Sequence, residues 1–495
     1  MKSYTALTQR FARLAALEEA TGLLHWDMSA MMPPGGAGAR SEQLAALKRV
    51  RHDLIADSAV AELLDEAETE TGLDSWQRAN LCEMRRQWNH ETALDGALVE
   101  ALSKACSASE MVWREARPRS DYQAARPHLE AVLCLVREAA SAKAARLGCS
   151  PYDALLDEYE PDGRAARIDP VFDAYAAFLP DFLEAVLSRQ GARGPALALD
   201  GPFPLEAQRA LAASFMAALG FDFAHGRLDE SLHPFCGGVP EDVRITTRYD
   251  DADFSRGLMG VLHETGHALY ERGLPAAWRR QPVGRARGMS VHESQSLLVE
   301  MQVCRSRAFF TFAAPRIRAA FGREGQAWSA ENLHRHYSRV ERGFIRVDAD
   351  EVSYPAHVIL RYRLERALIA GDLAPADLPG AWADGLKALL GIVPPDDRRG
   401  CLQDIHWYDG AWGYFPTYTL GAMTAAQVFA AAHKSLDGLD LQIASGEFAP
   451  LVAWLGREVH GRASLLDTDA LLVAATGSPL DPEVFQRHLA NRYLS

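Results

Sequence analysis

Apolar residues recur at steps of three and four along most of this sequence, and that spacing admits helices packed on one another and little else. Tyr4, Leu7, Phe11, Leu14 and Leu17 set one apolar stripe along a first helix, with Gly22 loosening its end. Residues 31–40 (MMPPGGAGAR) read as a loop. From Ser41 to about Leu147, Ala, Leu, Glu, Arg and Lys dominate and glycine is scarce, the makeup of several long antiparallel helices. Residues 189–204 (RQGARGPALALDGPFP) have the composition of a linker, but helical spacing resumes at Leu205, so the helical body is read as continuous. Residues 391–400 (GIVPPDDRRG) separate two further helices. The last helix opens with Asp481 as N-cap, Pro482 at its first position and Glu483 in its first turn. One segment breaks the rhythm. In residues 243–249 (VRITTRY), Val243, Ile245 and Thr247 alternate with Arg244, Thr246 and Arg248, the period of a strand. The predicted fold class is therefore mainly α with a small sheet.

Several function classes fall away on composition. The chain has 495 residues, 48% apolar and 24% charged, which is ample for a large globular core. Its 52 basic and 66 acidic residues leave a net charge of −14, and an acidic surface repels phosphate backbones, so nucleic acid is excluded as a partner. No apolar run is long enough to span a membrane. The opening residues MKSYTALTQRFARLAALEEATG carry scattered charges and no apolar h-region, so they do not read as a signal peptide. Seven dispersed cysteines with no CxxC pair predict free thiols in a reducing cytoplasm, not a disulfide framework or a cysteine zinc site.

The chemistry concentrates in FSRGLMGVLHETGHALYER. His263-Glu264-Thr265-Gly266-His267 is an HExxH sequence in a segment that lacks proline and places Leu258, Leu262 and Leu269 roughly on one face of a helix. Positions i and i+4 of a helix stack, so His263 and His267 can offer their imidazoles to one zinc ion. Glu264, one step round, suits a general base toward a water on that metal. The competing reading is a surface histidine pair on a solvated helix. A metzincin site is ruled out, because Tyr270 stands where its glycine belongs and Gly273 where its third histidine belongs. A third ligand can come from a following helix. Glu271 lies on the same helix, one turn beyond His267, and cannot swing round the ion. Glu293 and Glu300 both remain, in MSVHESQSLLVEMQV, where Leu297, Leu298 and Met301 continue an amphipathic helix. Glu293 is favoured because His292 and Ser294 make its setting polar.

HETGH at 263–267 followed by HESQS at 292–296 resembles the carboxypeptidase Taq family of zinc metallopeptidases. Other motifs of that family follow its order: HPF at 233–235, DVRIT at 242–246, IRVDAD at 345–350 and GCLQDIHW at 400–407. The segment LHWDMSAMMPPGGAGARSEQLAAL (24–47) looks like the family's opening, so the likeness runs from about residue 5 to the C-terminus. It implies zinc ligands His263, His267 and Glu293, with Glu264 as general base and later proton donor. It also implies a nearly all-helical body of the neurolysin-like gluzincin kind, split by a deep groove with a short sheet on one wall. The chain is then one peptidase unit, with a helical part near 1–200 and a zinc-binding catalytic part near 201–495. The family implies homodimers that remove single residues from peptide C-termini, with broad side-chain tolerance and proline disfavoured.

Peptide hydrolysis needs donors for an oxyanion besides the metal. His406, Tyr408, Tyr414 and Tyr418 are available between Gly400 and Gly421, and His406 and Tyr418 are favoured; Tyr414 is equally a packed aromatic. An exopeptidase also needs a guanidinium for the free carboxylate. Arg346 fits, with Asp348 or Asp350 to orient it, the alternative being an Arg–Asp pair that only ties helices together. Arg244 and Thr246 share a face of the predicted strand, along which an extended peptide can pair; equally, Asp242 and Arg244 brace the sheet. His233 is divided between lining the groove and satisfying a turn at Pro234. Two positions depart from the family: Cys236 stands where a small hydroxyl residue is expected and Leu297 where arginine is common, which bears on subsite shape. A His-His-Glu site accepts cobalt as well as zinc. An internally cleaving oligopeptidase and a helical scaffold with a vestigial metal are the competing functions.

Overall fold

The apolar stripe that begins at Tyr4 does not stop at Gly22. In the computed structural model, which describes residues 1–232 and 234–495, helix α1 spans Lys2–Ala30 and passes straight through that glycine. The loop after it is shorter than expected: a 3₁₀ turn at Pro34–Gly36 leads into α2 (Ala37–Ile55). Then come α3 (Ser58–Glu68), α4 (Ser75–Thr92), α5 (Gly96–Ala116), α6 (Tyr122–Leu147) and α7 (Pro151–Tyr159). Their starts follow local chemistry. Asp57, Asp74, Asp95, Asp121 and Ser150 each accept a main-chain N–H of the following first turn, and Asp74 completes a capping box with Gln77. Helix α8 (Ala165–Arg193) runs into the predicted linker, and α9 (Leu205–Leu219) begins where helical spacing resumes.

Three strands follow: β1 (Gly226–Glu230), β2 (Phe235–Val239) and β3 (Asp242–Thr247), in the order β1-β3-β2. The predicted strand is β3, with Val243, Ile245 and Thr247 buried. Its neighbours, GRLDE and FCGGV, lack β-branched alternation and carry no such signal. Because β3 is parallel to β1 on one side and antiparallel to β2 on the other, both its edges are already hydrogen-bonded. The expectation that an extended peptide pairs with this strand is therefore corrected; the outer edges belong to β1 and β2.

Helix α10 (Phe254–Gly273) carries HETGH, and α11 (Met289–Leu297) carries HESQS. The amphipathic helix expected to continue through Met301 instead widens into a π-helical stretch, Leu298–Cys304. The remaining helices are α12 (Arg307–Phe321), α13 (Ala330–Tyr337), α14 (Tyr354–Ala370), α15 (Leu378–Leu390), α16 (Pro416–Ser435), α17 (Leu439–Ser445), α18 (Ala449–Glu458), α19 (Thr468–Thr476) and α20 (Pro482–Tyr493). Asp481 caps the last of these as predicted, accepting from the N–H of Glu483.

One core cluster takes Phe172 and Tyr175 from before residue 200 and Tyr362, Trp382 and Phe415 from after it. A second surrounds α10 through Leu258, Leu262, Phe309 and Val428, and a third ties α1 to α3 and α4 through Leu7, Leu64 and Met84. All seven cysteines are free thiols. Among the described residues no helix is long and apolar enough to cross a membrane.

Candidate metal centre and active site

Asp253 caps α10 by accepting the N–H of Ser255, and Leu258 and Leu262 bury one of its faces. His263 and His267 then stack one turn apart, with ring centroids 5.0 Å from each other. Helix α11 crosses at Gly266 so closely that a Cβ there would stand 2.4 Å from the Gln295 carbonyl oxygen. Gly421 of α16 makes the same kind of contact from the other side, where a Cβ would lie 2.9 Å from that of Glu293. Two glycines thus let three backbones close around one carboxylate. Glu293 Oε2 lies 3.4 Å from His267 Nε2 and 3.7 Å from His263 Nε2. One donor atom from each of the three residues falls within 4.8 Å of the others. Two imidazole nitrogens and one carboxylate oxygen, converging from two helices, fit the donor set of a catalytic zinc-type site.

Glu300, the other carboxylate considered as third ligand, does different work. Its Oε2 is 3.0 Å from His263 Nδ1, and its second oxygen accepts from Arg305 at 2.5 Å. It fixes which nitrogen of His263 faces the metal position. Glu271, too near in sequence to ligate, pairs with His292 Nε2 at 2.8 Å, and the His292 ring stacks on His267 with centroids 4.5 Å apart. Burial pushes the Glu264 carboxyl up to about 7, in the range where a general base is effective. Burial would also raise Glu293, but His263, His267 and His292 outweigh it and hold its carboxyl at about 2.

Arg346 is buried, 5% exposed. Its Nε and Nη2 donate to Asp404 Oδ1 at 3.0 and 2.8 Å, and its Nη1 donates to the Tyr354 hydroxyl at 2.9 Å. The expected orienting partners are corrected. Asp348 pairs outward with Arg256, and Asp350 accepts the N–H groups of Glu341, Val352 and Ser353 together with the Ser353 hydroxyl. Asp350 braces its own loop, and Asp404, from the QD of GCLQDIHW, orients Arg346 while also holding Arg361 at 2.7 Å. Tyr418 lies 5.0 Å from the Arg346 guanidinium, and its hydroxyl is 3.3 Å from His406 Nε2. Burial lowers His406 to about 4, so the ring is neutral at pH 7. Burial first and the Glu293 charge second raise Tyr414, which keeps its proton and packs edge-on against Tyr418 and Tyr159. Tyr408 belongs to the core beside Trp113.

The sheet residues are placed differently. Arg244 pairs with Asp242 at 2.6 Å and lies 4.4 Å over Trp26 of α1, bracing the sheet against the first helix. Cys236 sits in β2 opposite Ile245, a half-buried thiol whose pKa desolvation raises and the nearby Glu264 charge raises further. His233 lies outside the described residues. Beside the ligands is a cavity of about 190 Å³, walled by His263, Glu293, Leu297, Met301, Tyr354 and Phe485. Leu297 therefore presents an apolar wall beside the ligands where arginine was expected. Sequence reasoning missed Asp404, Tyr354 and the orienting role of Glu300. Only Glu300 left a usable signal, seven residues after Glu293 and so on the same face two helical turns on.

A histidine pair on one helix, a carboxylate from the next and a second carboxylate beside the first histidine define a metallopeptidase centre. The sequence profile described as carboxypeptidase Taq (M32) metallopeptidase matches residues 6–493. The chain belongs to that M32 family and is a metallocarboxypeptidase. It is 39% identical to thermostable carboxypeptidase 1 of Thermus thermophilus, over 99% of this chain and 98% of that one. With carboxypeptidase 1 of Bacillus subtilis the identity is 32%, over 97% and 96%. Among solved structures, metallocarboxypeptidase 1 of Trypanosoma cruzi superposes with a TM-score of 0.98 at 42% identity, covering all of both chains. The M32 carboxypeptidase of Deinococcus radiodurans gives 0.94 at 34%, covering 100% of this chain and 99% of the other.

Proposed function

We propose that the enzyme removes single residues from free peptide C-termini with broad side-chain tolerance, using zinc held by His263, His267 and Glu293. The observation that carries this reading is Arg346, a buried guanidinium whose bonds to Asp404 and Tyr354 leave one N–H on each of Nη1 and Nη2 for a carboxylate. Tyr354 joins it to the cavity beside the ligands. When bound, the metal supplies Lewis-acid polarisation of the scissile carbonyl and makes a water nucleophilic near neutral pH. Glu264 takes the proton of the attacking water on its carboxylate and delivers it to the departing amine nitrogen, which its raised pKa favours. Tyr418 donates its hydroxyl to the oxygen that gains charge, with neutral His406 holding that hydroxyl in place or donating beside it. Tyr414 packs edge-on beside Tyr418 and would meet the substrate next to it. The same family membership supports a homodimer, which light scattering on an eluting peak would read directly.

The test compares a blocked dipeptide bearing a free C-terminus with its C-terminal amide, on wild type and Glu264→Gln, with released amino acid and bound metal both measured. Hydrolysis of the acid alone, lost in Glu264→Gln with zinc retained, is the expected result. Equal cleavage of the amide would remove the Arg346 anchor and favour an internally cleaving oligopeptidase. Bound zinc with neither substrate cleaved would favour a binding scaffold.

A further inference from the structure

In a chain of net charge −14, one cavity of about 440 Å³ is walled by arginine and by no carboxylate side chain. It lies where the end of α8, helix α13 and the last turn of α20 meet. Arg189, Arg193, Arg307, Arg335, Arg339 and Arg492 line it. Three of these have carboxylate partners set back from the cavity: Arg307 with Glu331, Arg339 with Glu341 and Arg492 with Glu351. Of the other three, Arg189 and Arg335 have none among the described residues, and Arg193 donates to an α-carboxylate oxygen of Ser495. Arg335 donates to the main-chain oxygens of Arg193, Gly194 and Pro195. Among the described residues Arg189 has no ion-pair partner, and its buried Nε has no hydrogen-bond partner. His334, 5% exposed, lines the same cavity. An anion entering the cavity would meet guanidinium charge that no acidic side chain of its wall neutralises.

We infer that this cavity binds a small multivalent phosphate anion. Guanidinium groups recognise phosphoryl oxygens in pairs, and tetrahedral oxygens can meet donors arriving from several walls at once. A half-open cavity of that volume suits a pyrophosphate-sized group and is too small for a duplex or a folded partner, so the inference does not conflict with the acidic surface. Nothing in peptide hydrolysis uses these residues.

Isothermal titration of the zinc-loaded full chain with sodium pyrophosphate at constant ionic strength tests it, with citrate as the carboxylate counterpart. One saturable site is expected. Arg189→Gln should weaken it about tenfold or more, the loss of one charge-assisted bond. Its melting temperature without ligand should not move, since that side chain makes no hydrogen bond or ion pair among the described residues. Arg339→Gln, whose pair with Glu341 is exposed, is the second probe should the first variant fold poorly. Absence of saturable binding overturns the proposal, as does wild-type affinity in both Arg189→Gln and Arg339→Gln. So does binding that disappears when zinc is stripped, which would be chelation at the metal. Citrate bound as tightly as pyrophosphate would overturn the phosphate assignment.

Discussion

Alanine at Gly266 would put a Cβ 2.4 Å from the Gln295 carbonyl oxygen and 2.6 Å from the Ser296 Cα, both of them main-chain atoms. To restore ordinary contact, α11 must withdraw by about 1 Å. Its retreat is blocked on the far side, where Glu293 Cβ already lies against Gly421 of α16. Alanine gains about 1 kcal/mol of helix propensity over glycine, and overpacking against backbone costs about 1–3 kcal/mol, so the net loss of stability is modest. The loss at the metal is larger. Ligand positions tolerate about 0.2 Å, and the displaced segment is the one that carries Glu293, so zinc affinity should fall at least about tenfold. Competition with a calibrated chelator measures this, beside thermal unfolding and kcat/KM. Gly22→Ala is the internal control. A Cβ there meets nothing within 4 Å, so that variant should gain up to about 1 kcal/mol of stability with zinc binding unchanged. A Gly266→Ala protein that binds zinc and turns over as wild type does would refute the view that backbone contact sets the ligand geometry.

Three further outcomes follow from the site. Glu300→Gln removes the charged acceptor on His263 Nδ1 and should weaken zinc binding about 10- to 100-fold, visible also as a changed spectrum of the cobalt-substituted enzyme; an unaltered affinity would deny its orienting role. Arg346→Lys keeps the charge but loses the fork, so KM for free-acid substrates should rise sharply; a KM within twofold of wild type would count against a bidentate carboxylate anchor. Burial alone would raise the Asp404 carboxyl, but Arg361 and Arg346 hold it well below the usual range. A depressed native pKa stabilises the fold above the unfolded value near 4, and that contribution is lost as pH falls below it. Asp404→Asn leaves fully buried Arg361 unpaired and should cost about 3–5 kcal/mol at pH 7, a deficit that narrows below about pH 4. Urea unfolding across that range reads it, and a deficit independent of pH would contradict the assignment.

What could be read from the sequence was what local spacing encodes. The helices declare themselves through apolar steps and through caps such as Asp481, and His263 with His267 through a four-residue interval. Glu293 needed the likeness of HESQS as well, because α11 and α10 meet only in the folded chain. The orienting carboxylate of Arg346 is Asp404, 58 residues away, and the nearer Asp348 and Asp350 were plausible only because sequence distance stood in for space. Strand β3 showed its alternation, but its central place depends on GRLDE and FCGGV, which pair through backbone and carry no periodic signature. A glycine inside HETGH, in mid-helix, was itself a sign of close backbone approach.

The contacts at Gly266 and Gly421 also separate two kinds of change. The metal ligands are located where helices close on these two glycines, whereas Leu297, Met301 and Phe485 wall the neighbouring cavity. Substitutions at those three positions can reshape what the cavity accepts without moving a ligand atom. A designer wishing to reshape that cavity therefore has a wall to work on that the metal ligands do not share, apart from His263 and Glu293 themselves.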